Sequence, residues 1–239
     1  MATQHRVALV TGGAKRVGRA IVERLAADHY SVAFTYLSSE AAARELERQI
    51  NGLAIRADLT QPQEAAAAVF AHLTSRFDRL DVLVNNASAY KPGRLDETDV
   101  PLMRELMAVH FESPLLLCQE FEAMLRASRG HVVNMVDLLA ERPWPQYMAY
   151  CASKAALRNL TLSLARELAP DVTVNGIAPG VVEWPPDYPE AEKQKYLKRV
   201  PLARAGTPQD VANLVHFLAT GGSYITGQII RLDGGRSIT

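Results

Sequence analysis

A doubly wound α/β fold, in which helices cover both faces of a parallel sheet, is what this sequence predicts. Three observations lead there. Short β-rich apolar runs alternate with longer amphipathic stretches from end to end. The runs are almost continuously apolar, as strands buried on both faces require. A glycine-rich turn joins the first run directly to a helix start.

In chain order, strands are expected at residues 6–10, 31–35, 53–56, 82–85, 131–136, 172–177 and 229–232. Between them, helical spacing of apolar residues predicts helices that include 41–50, 64–76, 114–126 and 152–168. One more helix opens at Thr207-Pro208-Gln209-Asp210. Thr207 can cap it, Pro208 suits its first turn, and the Asp210 carboxylate favours the positive helix end. No linker, repeat or low-complexity stretch divides the chain, so residues 1–239 are read as a single domain. One stretch is out of character: 183–198 carries Pro185, Pro186 and Pro189 before a charged, helix-prone run. It follows a late strand, where a lid over a ligand crevice at about 183–200 would sit; a plain surface insertion is the alternative.

The 239 residues include 26 basic and 26 acidic side chains, and 48% of the chain is hydrophobic. Zero formal charge argues against a nucleic-acid partner, which would call for a basic excess. No 18-residue apolar run predicts a membrane span. The first residues lead into the first strand without a signal-peptide hydrophobic region. The two cysteines, Cys118 and Cys151, make no disulfide framework. The six histidines show no ligand spacing, so no metal is expected. A cytoplasmic protein is the expectation.

Residues 7–21 read as a buried strand, a glycine turn (Gly12, Gly13) and a helix start, with Lys15, Arg16, Val17 and Gly18 at the junction. Glycines let the backbone approach a pyrophosphate, and a helix N-terminus offers free N–H groups. A structural turn is the alternative. The second strand ends Tyr36-Leu37-Ser38-Ser39 with no acid to grip the ribose hydroxyls of NAD. Hydroxyls there, with Lys15 and Arg16 nearby, point to NADPH unless those cations are merely solvated.

Thr11-Gly12 with Gly18, Asn85-Asn86-Ala87, Tyr150-Cys151-Ala152-Ser153-Lys154, Asn175 and Pro179-Gly180 follow one another along the chain. That series resembles the short-chain dehydrogenase/reductase family over essentially the whole length, which implies a single-domain Rossmann fold with a seven-stranded parallel sheet. Three departures narrow it. Arg16 replaces the middle glycine of the usual loop. Asp137 stands thirteen residues before the tyrosine, in place of the usual serine. Ser88-Ala89-Tyr90 follows Asn86-Ala87. All three resemble pteridine reductases. A fourth, His110 in place of a helix-borne asparagine, resembles the dihydromonapterin reductase branch.

The resemblance implies a catalytic Tyr150 and Lys154, four apart and so on one helix face. A nearby cation can stabilise a phenolate, and Lys154 is also expected to hold the nicotinamide ribose. Asp137 can bond Tyr150 and relay a proton, or simply cap the next segment. Tyr90 could stack on a pterin while Ser88 and Arg16 bond its edge, and Trp184 is a further substrate-contact candidate. Asn86, Ala87, Pro179 and Gly180 are cofactor candidates. Asp58 matches an adenine-contacting acid, with helix capping as the alternative. His110 is expected to bond backbone carbonyls or a water, or to take part in proton relay. The function expected is NADPH-dependent reduction of a dihydropterin, in a homotetramer. A carbonyl or 3-oxoacyl reductase and a non-catalytic dinucleotide sensor are the alternatives.

Overall fold

The computed structural model describes residues 5–184 and 187–239. Its elements run β1 Val7–Val10, α1 Arg16–Ala27, β2 Ser31–Tyr36, α2 Glu40–Ile50, β3 Leu53–Arg56, α3 Pro62–Thr74 and β4 Val82–Asn85. There follow α4 Val100–Met107, α5 Ser113–Ser128, β5 His131–Met135, α6 Met148–Glu167, β6 Thr173–Pro179, α7 Glu190–Leu197, α8 Pro208–Thr220 and β7 Ile229–Leu232. The seven strands pair in parallel in the order β3-β2-β1-β4-β5-β6-β7. The direction of winding reverses between β1 and β4. Ligands of such sheets bind outside the carboxyl ends of the strands at that point.

Each face of the sheet carries its own core. On one, Val69, Phe121, Leu125 and Leu164 from α3, α5 and α6 pack on Leu9 and Val132. On the other, Ile21, Leu25 and Leu46 of α1 and α2 meet Val215 of α8 and Phe34 of the sheet. Strands sandwiched this way need apolar residues on both sides, which is why their sequences read as unbroken runs. The edge strand β7 is the exception, being only partly buried.

The expected elements form, with shifts at their ends. β2 continues to Tyr36 and β6 to Pro179, while β5 stops at Met135. The helix expected at 152–168 starts four residues earlier, at Met148, which puts Tyr150 in its first turn. Thr207 and Asp210 close a reciprocal capping box on α8. Helix α4 was not among the expected segments, although Asp99 caps it and Pro101 occupies its first turn. Within 183–200 the described residues include α7, whereas Pro185 and Pro186 lie outside them. Among the described residues no helix is long and apolar enough to cross a membrane.

Candidate active site

The glycine turn lies at the carboxyl end of β1, braced from below. Thr11 Oγ1 accepts the Asn86 and Ala87 N–H groups at 2.9 and 3.0 Å. Asn86 Nδ2 donates back to the Thr11 and Gly12 carbonyls. Asn86 and Ala87, expected at the cofactor, thus also hold the turn in shape. Gly12 has φ +64°, a conformation costly for other residues. At Gly18 a Cβ would come within 2.1 Å of the Gly12 carbonyl oxygen, so only glycine lets helix and turn approach this closely. Lys15 precedes α1 in extended conformation and makes no side-chain cap, so the first-turn N–H groups remain available to an anion.

Lys15 and Arg16 are exposed and Val17 is half-buried beside them. Arg16, at φ +52°, turns its Nε toward Glu183 Oε2 at 2.5 Å, tying the turn to the segment after β6. Tyr36 is buried under Arg44, Ser38 is exposed, and Ser39 precedes α2 without capping it. Asp58 neither caps α3, whose N-cap is Gln61, nor lies buried. Its Oδ1 accepts from Thr60 N–H and Oγ1 in a local turn, which corrects the capping alternative. Pro179 ends β6 and Gly180 follows it, its N–H donating to the Leu232 carbonyl.

The strongest constellation gathers where β5 ends. Tyr150 Oη donates to Asp137 Oδ2 at 2.7 Å. The other carboxylate oxygen accepts the Leu139 N–H at 2.8 Å, capping a short 3₁₀ turn over Leu138–Ala140. Asp137 therefore both bonds Tyr150 and caps the next segment. Burial raises its pKa above the ordinary carboxylate range, against the Leu139 and Tyr150 bonds. Tyr150 is only 3% exposed, locked among Leu106, Leu139 and Cys151, and burial followed by the Asp137 charge drives its pKa well up. Lys154 is fully buried, donates to the Met135 carbonyl at 2.8 Å, and is pushed down to about 8 by burial. Its Nζ also lies 5.8 Å from the centroid of the Tyr150 ring.

His110 sits in a π-helical turn, Ala108–Glu112, between α4 and α5. Its partners are not the expected backbone carbonyls. Nε2 accepts the Ala89 N–H at 3.2 Å and lies 2.9 Å from Ser88 Oγ, while Nδ1 lies 2.8 Å from Ser153 Oγ. Burial and the nearby Lys154 lower its pKa to about 2, so the ring is neutral. Asn175, part of the motif series, ties β6 to the chain before β7 through Ile225 and Gln228.

A cavity of about 800 Å³ opens beside Asp137, lined also by Arg16, Tyr90, Trp184, Pro179 and Gly180 among others. Tyr90 is half-exposed, stacks on Tyr147 with centroids 4.7 Å apart, and meets Tyr150 edge-on at 4.9 Å. Trp184 stacks on Tyr188 and lies edge-on to Tyr196. The sequence reading missed Tyr147, Trp144, Tyr188, Tyr196 and Arg236 in this wall. An aromatic-rich Trp144-Pro-Gln-Tyr147 just before Tyr150 was the available signal; nothing in the sequence marks Arg236, which arrives from the chain's far end.

Comparison with known proteins follows this geometry. A family model described as enoyl-(acyl carrier protein) reductase matches residues 12–237. The chain is 34% identical to the 3-oxoacyl-[acyl-carrier-protein] reductase FabG of Aquifex aeolicus, covering 97% of both chains. It is 33% identical to the dihydromonapterin reductase of Klebsiella pneumoniae over 98% of each. Pteridine reductase 1 of Leishmania tarentolae is 32% identical, with 98% of this chain and 96% of that one covered. A blue fluorescent protein from a metagenomic library, solved in complex with NADPH, superposes with a TM-score of 0.91 at 32% identity, over 99% of both chains.

The buried Lys154 has a measurable consequence. Its folded pKa lies below the unfolded value, so between about pH 8 and 10.5 the unfolded chain binds the extra proton. Stability contributed by this group therefore rises with pH across that window and is lowest below 8. Lys154→Met should remove the pH-dependent component and stabilise the protein at pH 7 by on the order of 1–3 kcal/mol. Urea unfolding from pH 7 to 10.5 reads this; a variant less stable than wild type at pH 7 would contradict the desolvation argument.

Proposed function

The chain belongs to the short-chain dehydrogenase/reductase family, and we propose that within it the protein is an NADPH-dependent pteridine reductase. In this reading it adds hydride and proton across a ring C=N of a dihydropterin, of dihydrobiopterin or dihydromonapterin type, to give the tetrahydropterin. The observation that carries the reading is the 2.7 Å bond between Tyr150 Oη and Asp137 Oδ2. Carbonyl reduction develops an oxyanion, which calls for neutral donors, and a carboxylate beside the tyrosine would repel it. Reduction of C=N leaves a ring nitrogen that needs a proton. Tyr150 can give one, and Asp137, which borders the cavity, can pass a replacement proton on to it.

The residues present fit the dinucleotide. Gly12 and Gly18 keep the turn low and the start of α1 uncapped, so the pyrophosphate can lie on the free N–H groups. In this reading Lys15, Arg16, Ser38 and Ser39 would meet an adenosine 2′-phosphate and Asn86, Ala87 and Val17 would contact the cofactor, while Pro179 and Gly180 line the crevice. Bound NADPH supplies the hydride. Lys154, anchored on Met135, is placed to reach ribose hydroxyls. Tyr90, Tyr147 and Trp184 offer aromatic faces to a flat bicyclic ring, with Arg16 and Glu183 as polar anchors at its edge. A cytoplasmic setting suits two buried free cysteines. The part-buried β7 edge, with Phe217 and Tyr224 exposed, suits a homotetramer.

A second reading, reduction of 3-oxoacyl thioesters, is favoured by the 34% identity to FabG of Aquifex aeolicus. Position 137 weighs against it. One assay separates the two: NADPH oxidation with a dihydropterin, a simple ketone and a 3-oxoacyl thioester. The expected result is a kcat/KM for the dihydropterin far above either alternative; thioester turnover without pterin turnover would hand the case to the second reading. For the cofactor, NADPH should bind at least about tenfold tighter than NADH, roughly 1.4 kcal/mol, a modest demand on a charge-assisted phosphate contact. Equal affinities by fluorescence titration would refute the assignment of Lys15 and Arg16.

A further inference from the structure

The cavity beside Asp137 holds more positive charge than the chemistry above uses. Arg16, Arg142, Arg199 and Arg236 all line it. Glu183 pairs with Arg16, but the carboxylates near the other three are engaged elsewhere. Glu141, next to Arg142, pairs with Arg158 and Arg231. Asp233 accepts the Gly235 and Ser237 N–H groups, and Asp137 accepts from Tyr150 and Leu139. Among the described residues, no Asp or Glu side chain forms an ion pair with Arg142, Arg199 or Arg236.

Thr239, also in the cavity wall, gathers these three arginines. Arg142 Nη1 donates to its main-chain oxygen at 3.3 Å, and its Oγ1 lies 2.7 and 3.2 Å from the Arg199 and Arg236 carbonyl oxygens. A full negative charge on that main-chain oxygen would still leave two positive ones uncompensated. Arg236 opens the 3₁₀ turn Arg236–Ile238, with its guanidinium carbon 5.6 Å from the Tyr196 ring centroid. Its Nε is buried and has no hydrogen-bond acceptor among the described residues. A buried N–H without an acceptor costs free energy, and uncompensated like charges repel. One kind of occupant relieves both costs, and it is an anion.

We propose that Arg142, Arg199 and Arg236 form a subsite for an anionic side arm of the ring substrate, a carboxylate or a phosphate ester. The inference rests on the pterin reading and narrows it: the pterin reduced here carries a charged arm. Guanidinium forks match either oxyanion, and they bind it more strongly than a neutral donor would. The room is there as well. About 800 Å³ lies in the upper part of the range that holds drug-sized ligands, roughly 300–1,000 Å³, and exceeds the needs of a flat bicyclic ring alone. The chain links the two ends of such a ligand, because the turn after Asp137 runs straight to Arg142, whose N–H donates to the Leu138 carbonyl at 3.0 Å. An arm held away from the reacting ring acts on binding, so its signature is KM rather than kcat.

Two matched pairs of substrates test this. One is a dihydropterin with a phosphorylated polyol side chain against its unphosphorylated form; the other has a benzoyl-glutamate arm against the diamide of that arm. In the wild type, the charged member of at least one pair should show a KM at least about tenfold lower at equal kcat, the worth of one charge-assisted hydrogen bond. The pair that shows it identifies the anion. Arg142→Gln and Arg236→Gln should each erase most of that ratio through the charged member's KM, with NADPH affinity within twofold of wild type. Equal KM values within both pairs would overturn the proposal. So would an equal loss on both members of a pair, which marks a structural role, or a loss of NADPH affinity, which marks a cofactor contact.

A binding measurement separates this proposal from the pterin reading. Both tryptophans of the protein, Trp144 and Trp184, line the cavity, so their fluorescence reports an occupant without turnover. With NADP⁺ saturating the dinucleotide site, inorganic pyrophosphate or 4-aminobenzoyl-glutamate should quench the wild type and not Arg236→Gln. Should no pterin be reduced, the pterin reading fails and this measurement decides the subsite alone. Quenching that depends on Arg236 then sustains it, and no quenching by either anion overturns it.

Discussion

The hydrogen bond from Tyr150 to Asp137 is the constraint on which the rest of the site depends. It places a buried phenol against a buried carboxylate that accepts its hydrogen bond, and burial together with that charge holds the phenol protonated. A carboxylate in that place is a poor neighbour for a developing negative charge. That repulsion, more than the dinucleotide crevice, separates C=N reduction from carbonyl reduction, because the crevice serves either.

The sheet brings the pair together. Asp137 follows β5 at its carboxyl end, and Tyr150 lies in the first turn of α6, whose other residues fill the core beneath. Lys154, one turn on, is fixed to the last residue of β5. Strand and helix thus hold these three groups in fixed relation before any ligand arrives, which is how doubly wound folds favour positioning over adaptation. The opposite wall is different in kind. Arg16 and Glu183 form an exposed ion pair, which is worth little on its own and open to exchange for a ligand's polar groups.

Much of this was legible in the sequence. Continuous apolar runs gave away buried parallel strands, and the family resemblance singled out Asp137 as the residue standing for the usual serine beside Tyr150. The boundaries were less legible, because Met148 to Cys151 carry no cap signal and the helix starts there through tertiary packing on Leu106 and Leu139. The Met135 carbonyl that Lys154 bonds was hidden for a related reason: sequence gives a cation's neighbours along the helix, not the carbonyl it meets across the sheet. The partners of His110 come from a loop and from α6, and no local pattern predicts such a junction. The aromatic wall mixes 90, 147, 184 and 196, positions that only the fold makes adjacent.

The account stands or falls on what position 137 does to the choice of chemistry. Replacing the carboxylate with a neutral hydroxyl, Asp137→Ser, and measuring kcat/KM for a dihydropterin and for a ketone on the same preparation tests that directly. The account predicts a loss of pterin turnover of about 10²–10⁴, the range for an acid–base group, with NADPH affinity nearly unchanged and ketone turnover raised. Wild-type pterin turnover in Asp137→Ser would reduce the carboxylate to a cap on the Leu138–Ala140 turn and contradict the account.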